Sequence, residues 1–210
     1  MFLLPPQDAM KLERKTFYLS LDDVNPYKGR PRPELDQAWR DLVAPTAFRY
    51  PGWALEKINR TSLPLKDNSG HVVTLDVYHQ LHCLKFVRQY IHPEYYTINQ
   101  TRLEDHLDHC LDGIRQHIMC HADPAPNTYQ WIPDYDHPWP VFNTEHQCIN
   151  WEKFHAWALE NSFNGFDENL ISNPDFRPEM PPPFEFKLDK SNMPLFDQHI
   201  EGRDAYEHDN

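Results

Sequence analysis

The chain has no long apolar stretch and a deficit of positive charge. No run of about 18 apolar residues occurs, so the sequence predicts no membrane-spanning helix. The apolar start Met1–Leu4 is too short for a signal-peptide core, and we expect a soluble chain with no membrane anchor among its residues. Only 20 Lys and Arg oppose 32 Asp and Glu, and the net charge of −12 argues against nucleic acid and anionic membranes as partners.

Glycine is also scarce, with 6 residues against 20 prolines. Proline fixes φ and cannot donate a backbone hydrogen bond, so this composition predicts long irregular segments rather than a sheet-rich fold with glycine turns. The 40% apolar content of 210 residues is enough for one domain with a core. The sequence has no Ser-His-Asp nucleophile pattern, phosphate-binding glycine loop or dinucleotide fingerprint, which argues against the hydrolase and nucleotide-binding classes that use them.

The pattern His-x-x-His-Cys occurs twice, at His79–Cys83 and at His106–Cys110. Each helical residue turns by about 100°, so both histidines and the cysteine of a copy fall on one stripe of about 100°. Two such helices facing each other would present four imidazoles to one point. Imidazole is the commonest side-chain metal ligand and suits zinc, copper, iron and nickel. The repeat therefore predicts a metal centre, against the alternative of hydrogen-bonded core or surface histidines.

Apolar periodicity predicts a mainly α fold: a single domain with two long His-bearing helices, a third helix and Pro-rich extended arms. The predicted helices are a short one over Pro33–Val43, two long ones over Leu75 to about Tyr90 and Arg102 or Leu103 to about Cys120, and a third from Thr144 or Glu145 to about Glu160. His71–Leu75 is predicted as a short strand or an extended lead into the first long helix.

The domain organisation follows from these elements. We expect an N-terminal arm over residues 1–32, a metal-binding catalytic domain over 33–161 and a Pro-rich tail over 162–210. The tail is expected to dock in part through Phe184, Phe186 and Phe196. Aromatic residues between 127 and 142 predict either a peptide-binding wall or a core closed under a Pro-rich loop.

Cysteine usage and glycosylation sequons indicate an oxidising compartment. Four Cys fit two disulfides, and the sequons are Asn59-Arg60-Thr61 and Asn99-Gln100-Thr101. Together they favour a glycosylated, lumenal domain of the secretory pathway. The alternative is a cytosolic protein with four thiols.

Leu75–Leu84 and His106–Gln116 resemble the two signatures of the fungal UstYa-like mycotoxin-biosynthesis family. The resemblance extends from about Pro33 to Asn161. Its further matches are Asp36–Trp39, Met119-Cys120, Ala122-Asp123, Trp131, His146-Gln147-Cys148, Phe154 and Trp157.

This resemblance implies copper, as one or two ions, at the histidines, dioxygen as oxidant, and a peptide as substrate. Members of the family are associated with oxidative tailoring of small peptides, many of them ribosomally made, by macrocyclisation through side chains, hydroxylation, desaturation or chlorination. They carry an anchor in the secretory membrane system, which the sequence in hand does not contain. We expect an oxidative cyclase; the alternatives are a hydroxylase, desaturase or halogenase at the same metal, or a non-catalytic peptide-binding scaffold stabilised by zinc or disulfides.

The expected ligands are imidazoles. A site rich in neutral imidazole disfavours magnesium, calcium and manganese. The four histidines of the repeat suffice for one copper or for two with two ligands each, and the family motif adds a fifth; the predicted set is His79, His82, His106, His109 and His146. Weaker candidates for a sixth are His71, His92 and His121, whereas His117 is expected not to be a ligand. Aspartates near the pairs are expected to orient the imidazole N–H groups: Asp76, Asp105, Asp108 and Asp112.

Cys83 and Cys110 lie at the edges of their histidine faces, so a His-Cys metal site is one alternative for the cysteines. Disulfides are favoured, because a free thiolate beside copper and dioxygen is readily oxidised. Cys110 and Cys120 would stand about 15 Å apart on one helix, too far for a bond. We expect Cys83–Cys110 together with Cys120–Cys148. Strictly antiparallel helices would separate Cys83 from Cys110 and favour the remaining connectivity.

Overall fold

A computed structural model of the protein describes residues 9–98 and 103–173, and within them helices alternate with short strands. The helices are α1 (Pro33–Leu42), α2 (Gly52–Glu56), α3 (Asp76–Tyr90), α4 (Leu103–Cys120) and α5 (Trp151–Asn161). The strands are β1 (Leu12–Thr16), β2 (Ala47–Tyr50), β3 (His71–Val73), β4 (Thr128–Gln130), β5 (Trp139–Val141), β6 (Glu145–Ile149) and β7 (Ser162–Phe163). The sequon at Asn99 and the tail aromatics Phe184, Phe186 and Phe196 lie outside the described residues.

The prediction of a mainly α fold is wrong, because the described residues also form three small antiparallel sheets. Their strand orders are β1-β6, β3-β2-β7 and β4-β5. The strands have between 2 and 5 residues. In such short segments the alternation of apolar and polar residues cannot be distinguished from helical periodicity. The class is therefore a mixture of helices and small sheets.

The third predicted helix begins at Trp151, and not at Thr144 or Glu145. Residues Glu145–Ile149 are instead the strand β6, which pairs with β1 in the N-terminal region. Asn150 caps α5, since its side-chain oxygen accepts a hydrogen bond from the backbone N–H of Lys153 at 3.0 Å. The segment was mis-assigned because its strand character depends on a partner more than 100 residues earlier in the chain.

The other three predicted helices are confirmed within one residue at the ends that the structure describes, as α1, α3 and α4. Pro33 opens α1, and Glu34 and Asp36 lie in its first turn, where acidic side chains complement the helix dipole. His71–Val73 is a strand, as one of the two readings of that segment predicted. Among the described helices, none is long and apolar enough to cross a membrane.

The two His-bearing helices, α3 and α4, pack side by side in antiparallel directions. Near the start of α3, Asp76 contacts His117 in the last turn of α4, and near the end of α3, Phe86 contacts His106 in the first turn of α4. The buried residues between the helices are Cys83, Phe86, Leu107 and Cys110. Antiparallel packing therefore sets the two sequence copies against each other.

The opposite face of α3 packs on β2 and α5. Tyr78 and Phe48 stack at 6.1 Å between ring centroids, and Phe154 and Ala158 complete the buried cluster. Tyr78 also makes a hydrogen bond between its hydroxyl and Nδ1 of His155, at 2.9 Å. Because α3 is covered on two faces, the side chains of its His-x-x-His-Cys copy are held by packing on both sides.

A buried polar network fixes α1 against α3. The hydroxyl of Tyr96 donates a short hydrogen bond to the carboxylate of Asp36, and Arg88 donates to the same hydroxyl at 2.7 Å. Asp36 is 8% exposed, and its Oδ1 lies 3.9 Å from the guanidinium of Arg88. The carboxylate is thus buried with both a hydrogen bond and a cation, as a buried charge requires.

Candidate metal centre

The α3–α4 pair brings His79, Cys83 and His109 together. One ligand atom from each lies within 4.8 Å of the other two, and the described residues contain no other such group of three potential metal ligands. The rings of His79 and His109 are 5.6 Å apart between centroids, and Sγ of Cys83 lies 3.8 Å from Nε2 of His79. His79 and Cys83 are one helical turn apart, so α3 supplies two donors and α4 the third.

Cys83 has the electrostatics of a thiolate. Cys110 donates a hydrogen bond to its sulfur, which lowers the pKa of Cys83 to about 5, and the imidazoles of His79 and His109 act in the same direction. Burial opposes this shift but does not cancel it. The pKa of Cys110 is raised in turn, because it supplies that hydrogen bond and is itself completely buried. The lowered pKa of Cys83 favours the thiolate, which is the form of cysteine that binds metals, beside two imidazoles.

The histidine environments differ from one another. The hydrogen bond to Cys83 raises the pKa of His79, whereas burial lowers the pKa of His106. The His106 ring lies 6.4 Å from that of His109 and 4.4 Å from that of Phe86. His106 therefore stands beside the group as a neutral imidazole without being part of it.

Of the five predicted ligands, the structure places His79 and His109 in the group, and His82, His106 and His146 outside it. His82 is buried within α3 at 7% exposure. His146 lies on β6, where its Nδ1 is 2.6 Å from a carboxylate oxygen of Asp123 and its ring stacks on Phe17 at 3.9 Å. The expectation that His146 starts a helix is wrong, since its segment is a strand paired with β1.

Sequence reasoning considered a His-Cys site at Cys83 but favoured a disulfide, so Cys83 was left out of the predicted ligand set. The signal was present, because a spacing of four residues places Cys83 over His79 on a helix. Two of the aspartates expected to orient the ligand histidines have other partners. Asp76 pairs with His117 at 3.1 Å, and Asp112 accepts hydrogen bonds from Arg115 and Gln116.

The two predicted disulfides are not confirmed, because the structure holds all four cysteines as thiols. The structure does show how the direction of the helices affects the distance between Cys83 and Cys110. We expected antiparallel helices to separate Cys83 from Cys110, but these two side chains are in hydrogen-bond contact between antiparallel helices. The contact arises because each cysteine closes its copy on the side that faces the partner helix.

The aromatic residues between 127 and 142 lie at the surface around the β4–β5 hairpin. Trp131 is 72% exposed and Tyr129 is 67% exposed. Tyr135, Trp139 and Phe142 are also exposed. Of the two readings of this segment, exposure argues against the closed core.

The donor set of the group fits copper or zinc. Two imidazoles and one thiolate are nitrogen and soft sulfur donors, and no carboxylate belongs to the group. Cys83 is buried and His79 is half-buried, whereas His109 is exposed, so the group is accessible from the α4 side. A centre accessible from one side leaves room for another molecule at the metal, which is typical of catalytic rather than structural sites.

Comparison with known proteins points to one family. The family model described as "Mycotoxin biosynthesis protein UstYa" matches residues 2–161. UstYa family oxidase phomYc of Diaporthe leptostromiformis is 31% identical over 174 residues, which cover 74% of this chain and 67% of the relative. For phomYc' of the same organism the values are 31% over 177 residues, 78% and 63%. UstYa family oxidase aprY of Aspergillus flavus is 31% identical over 129 residues, which cover 56% of this chain and 39% of the relative.

The chain thus spans between 39% and 67% of the length of these three relatives. No solved structure matches the chain.

Proposed function

Because the chain belongs to the UstYa family of mycotoxin biosynthesis proteins, we propose that it is a copper-dependent oxidase that tailors a ribosomally made peptide. The proposed reaction is oxidative cyclisation through side chains, with dioxygen as the oxidant. The three relatives compared above are named UstYa family oxidases, which supports a role as an oxidoreductase in mycotoxin biosynthesis. The observation that carries the proposal is the convergence of His79, Cys83 and His109 between α3 and α4.

His79, Cys83 and His109 would hold the copper, with His106 as the neighbouring imidazole. Bound copper would supply one-electron redox chemistry and the activation of dioxygen. A second ion, if the centre takes one, would draw on His106 and on the predicted ligand His82. His146 remains a predicted ligand from sequence, although it is not part of the group that His79, Cys83 and His109 form.

The residues around the group prepare it for an ion. The hydrogen bond from Cys110 lowers the pKa of Cys83 and so favours the deprotonated sulfur that an ion would bind. Phe86 and Leu107 are buried between the helices and exclude water from the inner side of the group. The exposure of His109 leaves the outer side open to a substrate. The chain thus supplies a donor set that is dry on one side and accessible on the other.

A peptide substrate is consistent with the charge and surface of the protein. The net charge of −12 does not repel a neutral or cationic peptide. The exposed aromatic residues Tyr129, Trp131 and Trp139 offer apolar contact area to an extended peptide. We therefore propose that the substrate is a neutral or basic peptide rather than an acidic one.

We propose a lumenal location in the secretory pathway. Asn59 of the sequon Asn59-Arg60-Thr61 is exposed, directly after α2, with a positive φ of 52° that places it in a tight turn. An exposed turn is the setting in which a sequon can be glycosylated. Mass spectrometry of the protein from a secretory host tests this: a glycan on Asn59 is expected, and an unmodified Asn59 would contradict it.

The decisive test is dioxygen consumption by the copper-loaded protein with mixed-sequence short peptides, followed by mass analysis of the peptides. His79→Ala and His109→Ala are each expected to abolish consumption, and His106→Ala is expected to do the same if its imidazole completes the centre. His137→Ala is the matched control, because the His137 side chain is 73% exposed and pairs with Asp136. Full peptide oxidation by both His79→Ala and His109→Ala would overturn the proposed function.

The donor set carries one further candidate function, since two imidazoles and a thiolate also suit zinc. Zinc is redox-silent, so a zinc form would be a scaffold that binds peptides without oxidising them. Metal analysis of the purified protein separates the two functions. Stoichiometric zinc without dioxygen consumption supports the scaffold, and copper with consumption supports the oxidase.

A further inference from the structure

A second pair of histidines lies at the C-terminal end of α4, with His117 in its last turn and His121 directly after Cys120. They stand one helical turn apart on the same face, with ring centroids 4.2 Å apart and planes tilted by 32°. His117 is half-buried and His121 is exposed. Neither belongs to the group formed by His79, Cys83 and His109.

Hydrogen bonds determine which nitrogen of each ring carries the proton. Nδ1 of His117 lies 3.1 Å from a carboxylate oxygen of Asp76, and Nδ1 of His121 lies 3.0 Å from the backbone carbonyl oxygen of His117. Carboxylate and carbonyl oxygens accept hydrogen bonds and cannot donate them, so Nδ1 is the donor in both rings. The lone pair of each neutral imidazole is therefore on Nε2.

This is the arrangement that supports histidine ligands in metal sites. A metal-bound histidine almost always donates its second N–H to a carboxylate or a backbone carbonyl, which fixes the ring and its tautomer. His117 has the carboxylate of Asp76 in this role, and His121 has the backbone carbonyl. An ion at about 2 Å from each nitrogen joins two nitrogens up to about 4 Å apart, and the centroids of the two rings are 4.2 Å apart.

We propose that His117 and His121 form a second metal site that binds a divalent late transition-metal ion, Cu²⁺, Ni²⁺ or Zn²⁺. Nitrogen donors of this kind select these ions over magnesium and calcium. The exposure of His121 leaves the remaining coordination positions to water. Asp76 is the positioning residue, because it holds His117 through Nδ1 and stands at the N-terminal end of the adjacent helix α3.

The second site is separate from the centre between α3 and α4. His117 follows His109 by eight residues (117 − 109), or about 12 Å along α4 at 1.5 Å per residue. The second site has no thiolate, and the ring of His121 is exposed to solvent. We therefore expect it to bind an ion more weakly than the thiolate-containing centre and to exchange that ion with the solution.

Calorimetric titration of the full chain with Zn²⁺ at neutral pH tests the proposal. The wild-type protein is expected to show a tight binding event and a weaker one. His117→Ala and His121→Ala should each reduce the affinity of the weaker event by at least about tenfold and leave the tight event unchanged. His92→Ala is the matched control, since His92 pairs with Glu94 through Nδ1 at 3.1 Å as His117 pairs with Asp76; it should retain both events.

Asp76→Ala provides the second variant. It keeps both imidazoles but removes the carboxylate that orients His117, and the weaker event should lose affinity by about 10- to 100-fold. Thermal unfolding of each metal-free variant checks that the fold is retained. A weaker event of unchanged affinity in His117→Ala or in His121→Ala overturns the site, and so does an equal loss in His92→Ala. Neither result depends on dioxygen consumption, so the proposed function stands or falls separately.

Discussion

Cys110 donates its thiol hydrogen to the sulfur of Cys83 across the α3–α4 interface, and both side chains are completely buried. Each cysteine is the last residue of one copy of the His-x-x-His-Cys repeat, so the two copies contact each other through their cysteines. The pair is not symmetric, because the pKa of Cys83 is lowered and the pKa of Cys110 is raised. Cys83 therefore joins His79 and His109, while Cys110 supports the sulfur from the side of the core.

The pKa of Cys83 should depend on Cys110. Replacing Cys110 with alanine removes the largest contribution to the depressed pKa, so the value should rise from about 5 toward that of an ordinary thiol. The measurement is the ultraviolet absorbance of thiolate against pH in the metal-free protein, with Cys83→Ser as the blank. Cys120→Ser is the matched control, because Cys120 is exposed. An unchanged midpoint in Cys110→Ala would contradict this account.

Metal affinity should separate the structural group from the five-histidine set predicted from sequence. His79→Ala and His109→Ala should each weaken the tight copper-binding event by at least about tenfold, because each removes one of three converging donors. His146→Ala should leave that event unchanged, since His146 lies on β6 and is not part of the converging group. Competition with a chelator of known affinity gives the values. A loss in His146→Ala as large as in His79→Ala would favour the sequence-derived ligand set.

Stability should fall in mildly acidic solution, in part because of His155. Burial lowers the pKa of His155 below its ordinary value of 6.5, and the ring also hydrogen bonds to the backbone of Asp41. A depressed folded-state pKa contributes stability above the unfolded pKa, and this contribution is lost as pH falls below 6.5 through the folded value. Urea unfolding between neutral pH and about pH 5 measures it. His155→Gln should show a smaller decrease over this range than the wild type, and an equal decrease would exclude His155 as a source.

The buried carboxylate of Asp36 should be important for stability. Asp36→Ala leaves Arg88 without its buried partner and Tyr96 without its acceptor, so the free energy of unfolding should fall by about 3–5 kcal/mol. Tyr96→Phe removes a single hydroxyl and should cost about 1 kcal/mol. Glu34→Ala is the matched control, because Glu34 is an exposed acid in the first turn of the same helix. Urea unfolding ranks the three variants, and equal effects of Asp36→Ala and Glu34→Ala would contradict the network.

Local patterns were sufficient to predict α1, α3 and α4, but not β6 or the start of α5. The apolar period of α3 and α4 is written within each segment, so both helices could be predicted from sequence. The strand β6 could not be predicted, because its partner β1 lies more than 100 residues away in the chain. The pairing of Lys15 with His146 produces no pattern within either segment. Pairing between strands so far apart in sequence depends on how the whole chain folds, and local periodicity carries no information about it.

Only part of the candidate centre could be predicted from the sequence. The repeat indicated that α3 and α4 meet through histidines, and His79 and His109 do meet. All histidines of the two copies fall on one broad stripe, however, so sequence alone could not decide which of them turn toward the partner helix. That rotation is set by the packing of Phe86 and Leu107 between the helices. The same packing turned Cys83, rather than His82, toward His109.

The pairing of β1 with β6 has a practical consequence for producing the protein. Removing the residues before Phe17 would delete the five-residue partner of β6, from Leu12 opposite Ile149 to Thr16 opposite Glu145. The backbone donors and acceptors of β6 would then be open to strands of other molecules, and such unpaired edges promote self-association into insoluble material. Shortened versions made for expression should therefore begin upstream of Leu12.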